Sequence, residues 1–308
     1  MRTFLGIEIG GTKLQLVVGD EHARIIERFR FDVDPELGAD GIKTQIRAGL
    51  DRIQLNNVSA IAIGFGGPVD HHTGRVITSY QVSGWGDFVI GDWLKELTGL
   101  PVWIDNDANI AGYGEALFGA GKGFNQVFYV TLGSGVGAGF VVDNQIYHGG
   151  KISELEFGHI RLDKSGRTVE SSCSGWAVDR KIRDHVKNNP NGLLAKLTHG
   201  YSRGEARVLS MALEQGDPSA VDILEMTADD LAFGLSHAVH LLNPQAVILG
   251  GGFSLIGEPL LKAVRERLPD YLMDVMRPGP EVRLSSLRED VVPIGALALA
   301  INKITSKA

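Results

Sequence analysis

Residues 102–109 read Val-Trp-Ile-Asp-Asn-Asp-Ala-Asn, an apolar run that ends in a dense cluster of acids and amides. Residues 111–117, Ala-Gly-Tyr-Gly-Glu-Ala-Leu, have a helix-like composition. The stretch therefore predicts a strand followed by a helix, with the acidic cluster at the N-terminus of the helix. Asp and Asn at such a position either cap the first turn of the helix or take part in chemistry. The stretch alone leaves both interpretations open.

The chain before this stretch alternates β-rich and helical patterns. We predict strands over 4–9, 14–18, 24–31 and 58–65, with helices over 38–55 and near 92–97. This order indicates an α/β lobe whose acidic cluster lies at the C-terminal end of a strand. Open α/β sheets usually bind their ligands at that end.

The first two strands are joined by Gly10-Gly11-Thr12-Lys13. A tight Gly-Gly turn is sufficient to explain these residues. Backbone N–H groups and the Thr12 hydroxyl facing a phosphate explain them as well. The sequence predicts a hairpin here and leaves its role open.

A second glycine-rich turn follows the acidic cluster. The apolar run 127–132 leads into Gly-Ser-Gly-Val-Gly-Ala-Gly at 133–139 and then into a strand over 140–142. This turn contains a G-x-G-x-x-A match, but a dinucleotide fingerprint must open a helix, and a P-loop sequence occurs nowhere. We therefore reject both nucleotide folds. The repeat of strand, glycine turn and strand predicts two related lobes, each opening with a phosphate-type hairpin.

The remaining chain is mostly helical. A long amphipathic helix is predicted over 217–242, with a stop at Asn243-Pro244. An apolar strand over 246–249 then enters Gly250-Gly251-Gly252, with a helix beginning near Leu255. These glycines either let a flat ring approach the backbone or let the strand and helix pack closely.

Composition excludes several classes of protein. The 308 residues carry a formal net charge of −7 and contain no run of Lys and Arg, so a nucleic-acid partner is not expected. Cys173 is the only cysteine, which rules out an intramolecular disulfide and a Cys-based zinc site. Because no signal-peptide or membrane-spanning pattern occurs, we expect a cytoplasmic protein without a membrane partner.

Six short motifs together resemble the ROK family of bacterial sugar kinases, close to its glucokinases. In chain order they are GGTK at 10–13, GGPVD at 66–70, DNDAN at 105–109, LGSGVGAG at 132–139, EFGH at 156–159 and LGGG at 249–252. The resemblance implies a two-lobed α/β fold of the actin-like, ribonuclease-H-like type with an interdomain cleft. We expect a sugar- and phosphate-binding lobe at 1–112 plus 294–308, and a nucleotide-binding and dimerisation lobe at 113–293.

By the same resemblance Asp107 is the general base that takes the proton from a sugar hydroxyl as it attacks the γ-phosphate of ATP. The implied sugar ligands are Gly67, Asn106, Glu156, His159 and Glu170. The implied nucleotide and phosphate ligands are Gly10, Gly11, Thr12, Lys13, Thr131, Gly133, Ser134, Gly135, Gly250, Gly251 and Gly252. Mg²⁺ is expected with ATP, with Glu8 contacting it through water. A homodimer is implied by the family.

The chain departs from the family pattern at four places. Glu8 replaces the usual Asp, Gln81 stands where relatives often have Asn, and Gly66 replaces the usual Pro. The three cysteines of the family's zinc loop are missing from 161–172, so no zinc site is expected, and His159 keeps only its sugar contact. The shortened loop aligns Glu170 with a sugar ligand of the family.

The resemblance therefore implies an ATP-dependent sugar kinase that converts glucose to glucose 6-phosphate. The alternatives are a kinase for fructose, mannose or N-acetylglucosamine, and a catalytically weak sugar-binding regulator. The ROK family also includes repressors, which carry a helix-turn-helix before the first strand; here the strand begins at Phe4. The sequence leaves open whether polyphosphate can replace ATP.

Overall fold

The computed structural model describes residues 2–150 and 155–305. The chain forms two compact units. The first unit consists of residues 1–125, 139–155 and 286–308, and the second of residues 126–138 and 156–285. The predicted domain boundary after residue 112 falls inside a helix that lies wholly in the first unit, and the division into functional lobes stays a prediction.

The first half of the chain supplies most of the first unit. Its strands are β1 (Thr3–Ile9), β2 (Lys13–Gly19), β3 (Ile25–Asp32), β4 (Val58–Phe65), β5 (Val69–Asp70), β6 (Arg75–Val76) and β7 (Val102–Asn106). Its helices are α1 (Gly38–Leu50), α2 (Ile90–Thr98) and α3 (Asp107–Phe118).

The rest of the chain continues with strands β8 (Gln126–Leu132), β9 (Val136–Val142), β10 (Gln145–Ile146), β11 (Ala246–Gly250) and β12 (Glu281–Leu284). Its helices are α4 (Val169–Cys173), α5 (Gly175–Asn188), α6 (Leu193–Leu197), α7 (Leu209–Glu214), α8 (Pro218–Leu242), α9 (Glu258–Arg267) and α10 (Val291–Thr305).

The two five-stranded sheets have the same arrangement. The first has the order β3-β2-β1-β4-β7, and the second β10-β9-β8-β11-β12. In the first sheet β1 is antiparallel to β2 and parallel to β4, which is parallel to β7. In the second, β11 is parallel to both β8 and β12. The internal repeat predicted from the glycine turns is thereby confirmed.

The first sheet is covered on both faces because its central strands alternate two sets of apolar residues. Residues such as Ile7, Leu16 and Ile63 join α1 and α2 in one buried core. The opposite face carries small residues that admit α10: a Cβ on Gly64 would lie 2.5 Å from Val292 Cγ1. α10 also packs on α3, where a Cβ on Gly295 would lie 1.9 Å from the Ile110 carbonyl oxygen.

Two predicted element limits are wrong by a few residues. The first helix ends at Leu50, not near 55, and a short 3₁₀-helix occupies 55–57. The helix expected near Leu255 begins at Glu258, because Gly257, with φ of 82°, separates it from a 3₁₀ segment at 252–256. The stop at Asn243 is confirmed; this residue closes α8 in the left-handed conformation. In the described part of the chain, no helix has the length and apolar character needed to cross a bilayer.

Candidate active site

Three parallel strands of the first sheet end side by side. Ile9 of β1 lies beside Phe65 of β4, which lies beside Asn106 of β7. The next residues along each strand, Gly10, Gly66 and Asp107, therefore meet at one edge of the sheet. A Cβ on Gly66 would lie 3.3 Å from Asp107 Oδ2 and 3.7 Å from the Gly10 Cα. The first glycine turn and the acidic cluster thus converge within the first unit.

Gly66 stands where the resemblance leads us to expect proline, and its backbone N–H forms a hydrogen bond in this arrangement. Its N–H donates to the Ile9 carbonyl oxygen at 2.8 Å. Proline has no N–H to donate. The substitution therefore ties the end of β4 to the end of β1 directly beside the Asp107 carboxylate.

Asn106 is the N-cap of α3. Its Oδ1 accepts from the Ala108 N–H at 2.8 Å and the Asn109 N–H at 3.4 Å, and its Nδ2 donates to the Gly67 carbonyl oxygen at 3.2 Å. Capping is thus the local role of Asn106. It also orients the helix start that carries Asp107, so the capping and functional interpretations do not exclude each other.

Asp105 is buried and accepts hydrogen bonds from residues at the start of α3. Only 3% of it is exposed. Its Oδ1 accepts from the Asn106 N–H and from Asn109 Nδ2, both at 2.9 Å. Its Oδ2 lies 2.7 Å from His148 Nε2, and the His148 ring stacks on His71 with centroids 3.6 Å apart.

Sequence reasoning did not find these two histidines. His148 and Asp105 are 43 positions apart, and no motif connects them. Burial lowers the pKa of His71, and the nearby His148 lowers it further. The sequence shows only that these histidines exist, not that they meet the acidic cluster.

The Asp107 carboxyl group lies in an environment that opposes its negative charge. Burial, reinforced by the negative charge of Glu8, raises its pKa from 3.8 to about 7. The carboxyl group is partly buried in the first turn of α3. A carboxylate with a pKa near neutral is suited to accept a proton at physiological pH.

Glu8, predicted to contact magnesium, is held by neighbouring side chains. Its Oε1 lies 3.1 Å from Lys13 Nζ, and its Oε2 accepts from Gln15 Nε2 at 2.6 Å. Among residues 2–150 and 155–305, no three His, Cys, Asp or Glu side chains converge to hold a metal ion. Glu8 therefore fits a Mg²⁺ ion that is held mainly by substrate phosphates and water.

The first glycine turn is closed by its own backbone and covered by a side chain. The Gly10 N–H donates to the Lys13 carbonyl oxygen at 2.9 Å, and Thr12 is exposed. A Cβ on Gly11 would lie 1.7 Å from Gln81 Oε1. Gln81, a departure from the family pattern, therefore lies directly on the turn.

The glycine turn of the second unit is clamped by two helices of the same unit. Within the turn, the Gly133 N–H donates to the Gly135 carbonyl oxygen at 2.9 Å. The Gly175 N–H at the start of α5 donates to the Gly133 carbonyl oxygen at 2.7 Å. Glu170 of α4 accepts the Val136 N–H through Oε2 at 2.9 Å. Ser134, at the tip, is exposed.

Glu156 and His159 lie at the two ends of a one-turn 3₁₀-helix, Phe157–His159. Glu156 Oε2 is 3.9 Å from His159 Nε2, and the two side chains are 51% and 70% exposed. Both groups are therefore accessible to a ligand.

The three glycines at the end of β11, Gly250, Gly251 and Gly252, are explained by different surroundings. A Cβ on Gly250 would lie 2.3 Å from the Tyr129 hydroxyl oxygen, and one on Gly251 would lie 2.5 Å from the Leu132 nitrogen. Close packing on β8 thus accounts for both. A Cβ on Gly252 would meet no atom within 4 Å, so this backbone is open to a flat ring. Thr131 pairs with Gly250 across the two strands.

The segment over 161–168, where the resemblance implied a loss of the zinc-loop cysteines, is organised by Asp163. Its Oδ1 accepts three backbone N–H groups and the Ser165 hydroxyl, and its Oδ2 accepts from Arg167 Nε at 2.9 Å. These hydrogen bonds hold the pKa of Asp163 well below its ordinary value. Arg167 also donates to Asp230 of α8 at 3.1 Å. The loop that precedes Glu170 is thereby fixed to α8.

Cys173, at the end of α4, is fully buried, and burial raises its pKa to about 12. A thiol in this state is a poor nucleophile and a poor metal ligand.

A cavity of 710 Å³ lies in the second unit among α5, α8 and α9. It contains none of the predicted site residues. Among its lining residues, Arg267 forms ion pairs with Glu225 and Asp229. The catalytic residues predicted from the sequence therefore lie elsewhere.

Comparison with known proteins shows which family the chain resembles over most of its length. The ROK family model matches residues 4–303. The chain is 30% identical to the glucokinase of Thermotoga maritima, over 97% of this chain and 98% of that one. It is also 30% identical to the glucokinase of Halalkalibacterium halodurans, over 96% and 93%.

The structure is similar to that of a ROK family glucokinase from Streptomyces griseus in complex with glucose and AMPPNP. The TM-score is 0.83, with 32% identity over 97% of this chain and 99% of that one. The fold is therefore the two-lobed, actin-like α/β fold.

Proposed function

Since the chain belongs to the ROK family, we propose that it transfers the γ-phosphoryl group of ATP to a hexose and that glucose is the preferred acceptor. Its class as an ATP-dependent sugar kinase follows from the family match and from the glucokinases at 30% identity. The identity of the hexose and the formation of glucose 6-phosphate are the proposed part.

The observation that carries this proposal is the state of Asp107. Its carboxyl group stands at the edge where β1, β4 and β7 end, and its pKa is raised to about 7. In the proposed reaction it accepts the proton of a sugar hydroxyl as the hydroxyl oxygen attacks the γ-phosphorus. Phosphoryl transfer depends mainly on positioning and charge stabilisation, to which a base of this pKa adds proton removal.

The proposed sugar ligands are of the type that a polyol requires. In the first unit, Asn106 donates one Nδ2 hydrogen to the Gly67 carbonyl oxygen. Its second Nδ2 hydrogen is suited to a sugar hydroxyl. In the second unit, the exposed Glu156 and His159 are assigned to sugar hydroxyls by the family resemblance, as is Glu170. Carboxylate and imidazole groups suit hydroxyl donors better than apolar ligands.

The proposed phosphate ligands are the two glycine turns, with Thr12, Thr131 and Ser134 supplying hydroxyls. The open backbone at Gly252 suits the adenine ring. Mg²⁺ neutralises phosphate charge when bound. We assign it to the ATP phosphates with Glu8 reached through water, because both Glu8 oxygens already have protein partners.

Two other candidates follow from the departures in the sequence. Gln81 lies on the Gly11 turn, and Gly66 lies beside Asp107. Changes at these two positions are suited to select another acceptor, such as fructose, mannose or N-acetylglucosamine. Glu8 in place of Asp favours a catalytically weak sugar-binding regulator. We also propose a homodimer in the cytoplasm; size-exclusion chromatography with light scattering tests the oligomer.

A coupled ADP-release assay over glucose, fructose, mannose and N-acetylhexosamines tests the proposal, with ATP and polyphosphate as donors. We expect the highest kcat/KM with glucose and ATP. Preference for another sugar would reassign the acceptor. Thermal stabilisation by glucose without turnover of any acceptor would favour the regulator.

A further inference from the structure

Glu170 lies where two predicted ligand groups meet within the second unit. The family resemblance assigns Glu170 to the sugar and the turn at 133–135 to phosphate. In the structure its Oε2 accepts the Val136 N–H at 2.9 Å. A Cβ on Gly135 would lie 2.5 Å from the same oxygen. The half-buried carboxylate therefore lies against the phosphate-type turn.

This position matters because both the carboxylate and a phosphate are anions. Backbone N–H groups in a glycine turn form a concave site that attracts negative charge. The Glu170 oxygen already occupies the Val136 N–H, as a phosphate oxygen would. Its negative charge also opposes a second anion at close range, and the repulsion is strong where water is partly excluded.

A sugar would change this state through the second oxygen of the same carboxylate. In the described part of the chain, Oε1 of Glu170 accepts no hydrogen bond, whereas Oε2 holds Val136. A sugar hydroxyl that donates to the carboxylate draws its negative charge away from the turn. A carboxyl group that turns toward this hydroxyl also loosens its contact with the Val136 N–H, leaving that N–H for a phosphate.

We propose that Glu170 couples the two substrates: without sugar its carboxylate occupies the phosphate turn and weakens nucleotide binding, and sugar binding relieves this effect. The inference rests on the proposed function, because it needs a nucleotide phosphate at the 133–136 turn and a sugar at Glu170. Glu170 acts here through the turn, as a positioning residue. The coupling is reciprocal, so the nucleotide tightens sugar binding by the same factor.

Isothermal titration of the full chain with AMPPNP, with and without saturating glucose, tests the inference. For the unsubstituted protein, glucose should lower the AMPPNP Kd at least about fivefold, the lower end of typical coupling between sites. Glu170→Gln keeps an oxygen acceptor for Val136 but removes the charge. Its AMPPNP Kd without sugar should be lower than that of the unsubstituted protein, and glucose should lower it further by less than in the unsubstituted protein.

Glu156→Gln is the matched control, since it removes another proposed sugar-binding carboxylate that is exposed and pairs with His159. It should weaken glucose binding but leave the sugar-free AMPPNP Kd unchanged. Glu170→Ala serves as a second variant if Glu170→Gln does not fold, with the same expectation. Melting temperatures of all variants show whether the fold is intact.

The outcomes separate the two proposals. AMPPNP could bind the unsubstituted protein at least as tightly as it binds both Glu170 variants. In that case the coupling role of Glu170 is wrong and the proposed function stands. If Glu156→Gln tightens sugar-free binding as much as Glu170→Gln, the effect is one of general charge, and the specific contact is refuted. If AMPPNP binds none of the proteins, the proposed function fails, and the inference fails with it.

Discussion

Asp107→Asn should stabilise the protein at alkaline pH while removing its proposed base. The folded state raises the Asp107 pKa from 3.8 to about 7, so it disfavours the ionised form. Folding therefore carries no penalty from this group below the unfolded pKa. The penalty grows as the pH rises through the interval between the two values, and it is complete above the folded value. Asparagine is neutral throughout and carries none of it.

The size of the effect follows from the two pKa values. Their separation corresponds to at most about 4 kcal/mol of unfolding free energy, because one pKa unit is worth about 1.4 kcal/mol. Since the carboxyl group is partly exposed to solvent, we expect a gain of about 2–4 kcal/mol at pH 8 and less than about 2 kcal/mol at pH 5.

Urea unfolding of the unsubstituted protein and Asp107→Asn at both pH values measures this difference. Asp51→Asn, an exposed carboxyl just beyond α1, serves as the control and should change the free energy of unfolding by less than about 0.5 kcal/mol at either pH. If Asp107→Asn is no more stable than the unsubstituted protein at pH 8, Asp107 is not held in an environment that opposes its charge, and the argument for its role as base is lost.

Three further predictions follow from the first unit. The kcat/KM for hexose should fall as the pH drops below about 7, because the proposed base becomes protonated; a rate that is flat from pH 5 to 8 contradicts this. Gly295→Ala should cost at least about 2 kcal/mol in urea unfolding, since its Cβ would collide with the Ile110 carbonyl, whereas Gly86→Ala, with open space around it, should not. His148→Ala leaves the buried Asp105 without its Oδ2 partner and should cost about 1–3 kcal/mol; an unchanged unfolding midpoint would show that the pair contributes nothing.

Local patterns in the sequence predicted most of the fold. The order of β-rich runs and helical patterns indicated an α/β lobe, and the two glycine turns indicated the repeated arrangement that the two sheets show. Helix ends were less accurate, since apolar residues such as Ile53 continue past the end of α1 and are buried without being helical.

The sequence predicted which residues belong to the site, but it did not predict which of them contact one another. The sequence indicated that Asp107 and Gly10 belong to functional segments, but the register of β1, β4 and β7 is what brings them to one edge. The partners of Asp105 and Glu170 are 43 and 34 residues away in sequence, on other elements. Such contacts depend on tertiary packing, which no local pattern encodes.

The most direct measurement is ADP release with glucose and ATP by the unsubstituted protein and by Asp107→Asn, at pH 8. At this pH the Asp107 carboxyl is ionised, and the variant is expected to be folded. We expect sugar-dependent turnover by the unsubstituted protein and a kcat lower by at least about 10²-fold in the variant. A near-normal rate in Asp107→Asn, or no turnover of any hexose by the unsubstituted protein, would contradict the assignment of Asp107 as the base of a sugar kinase.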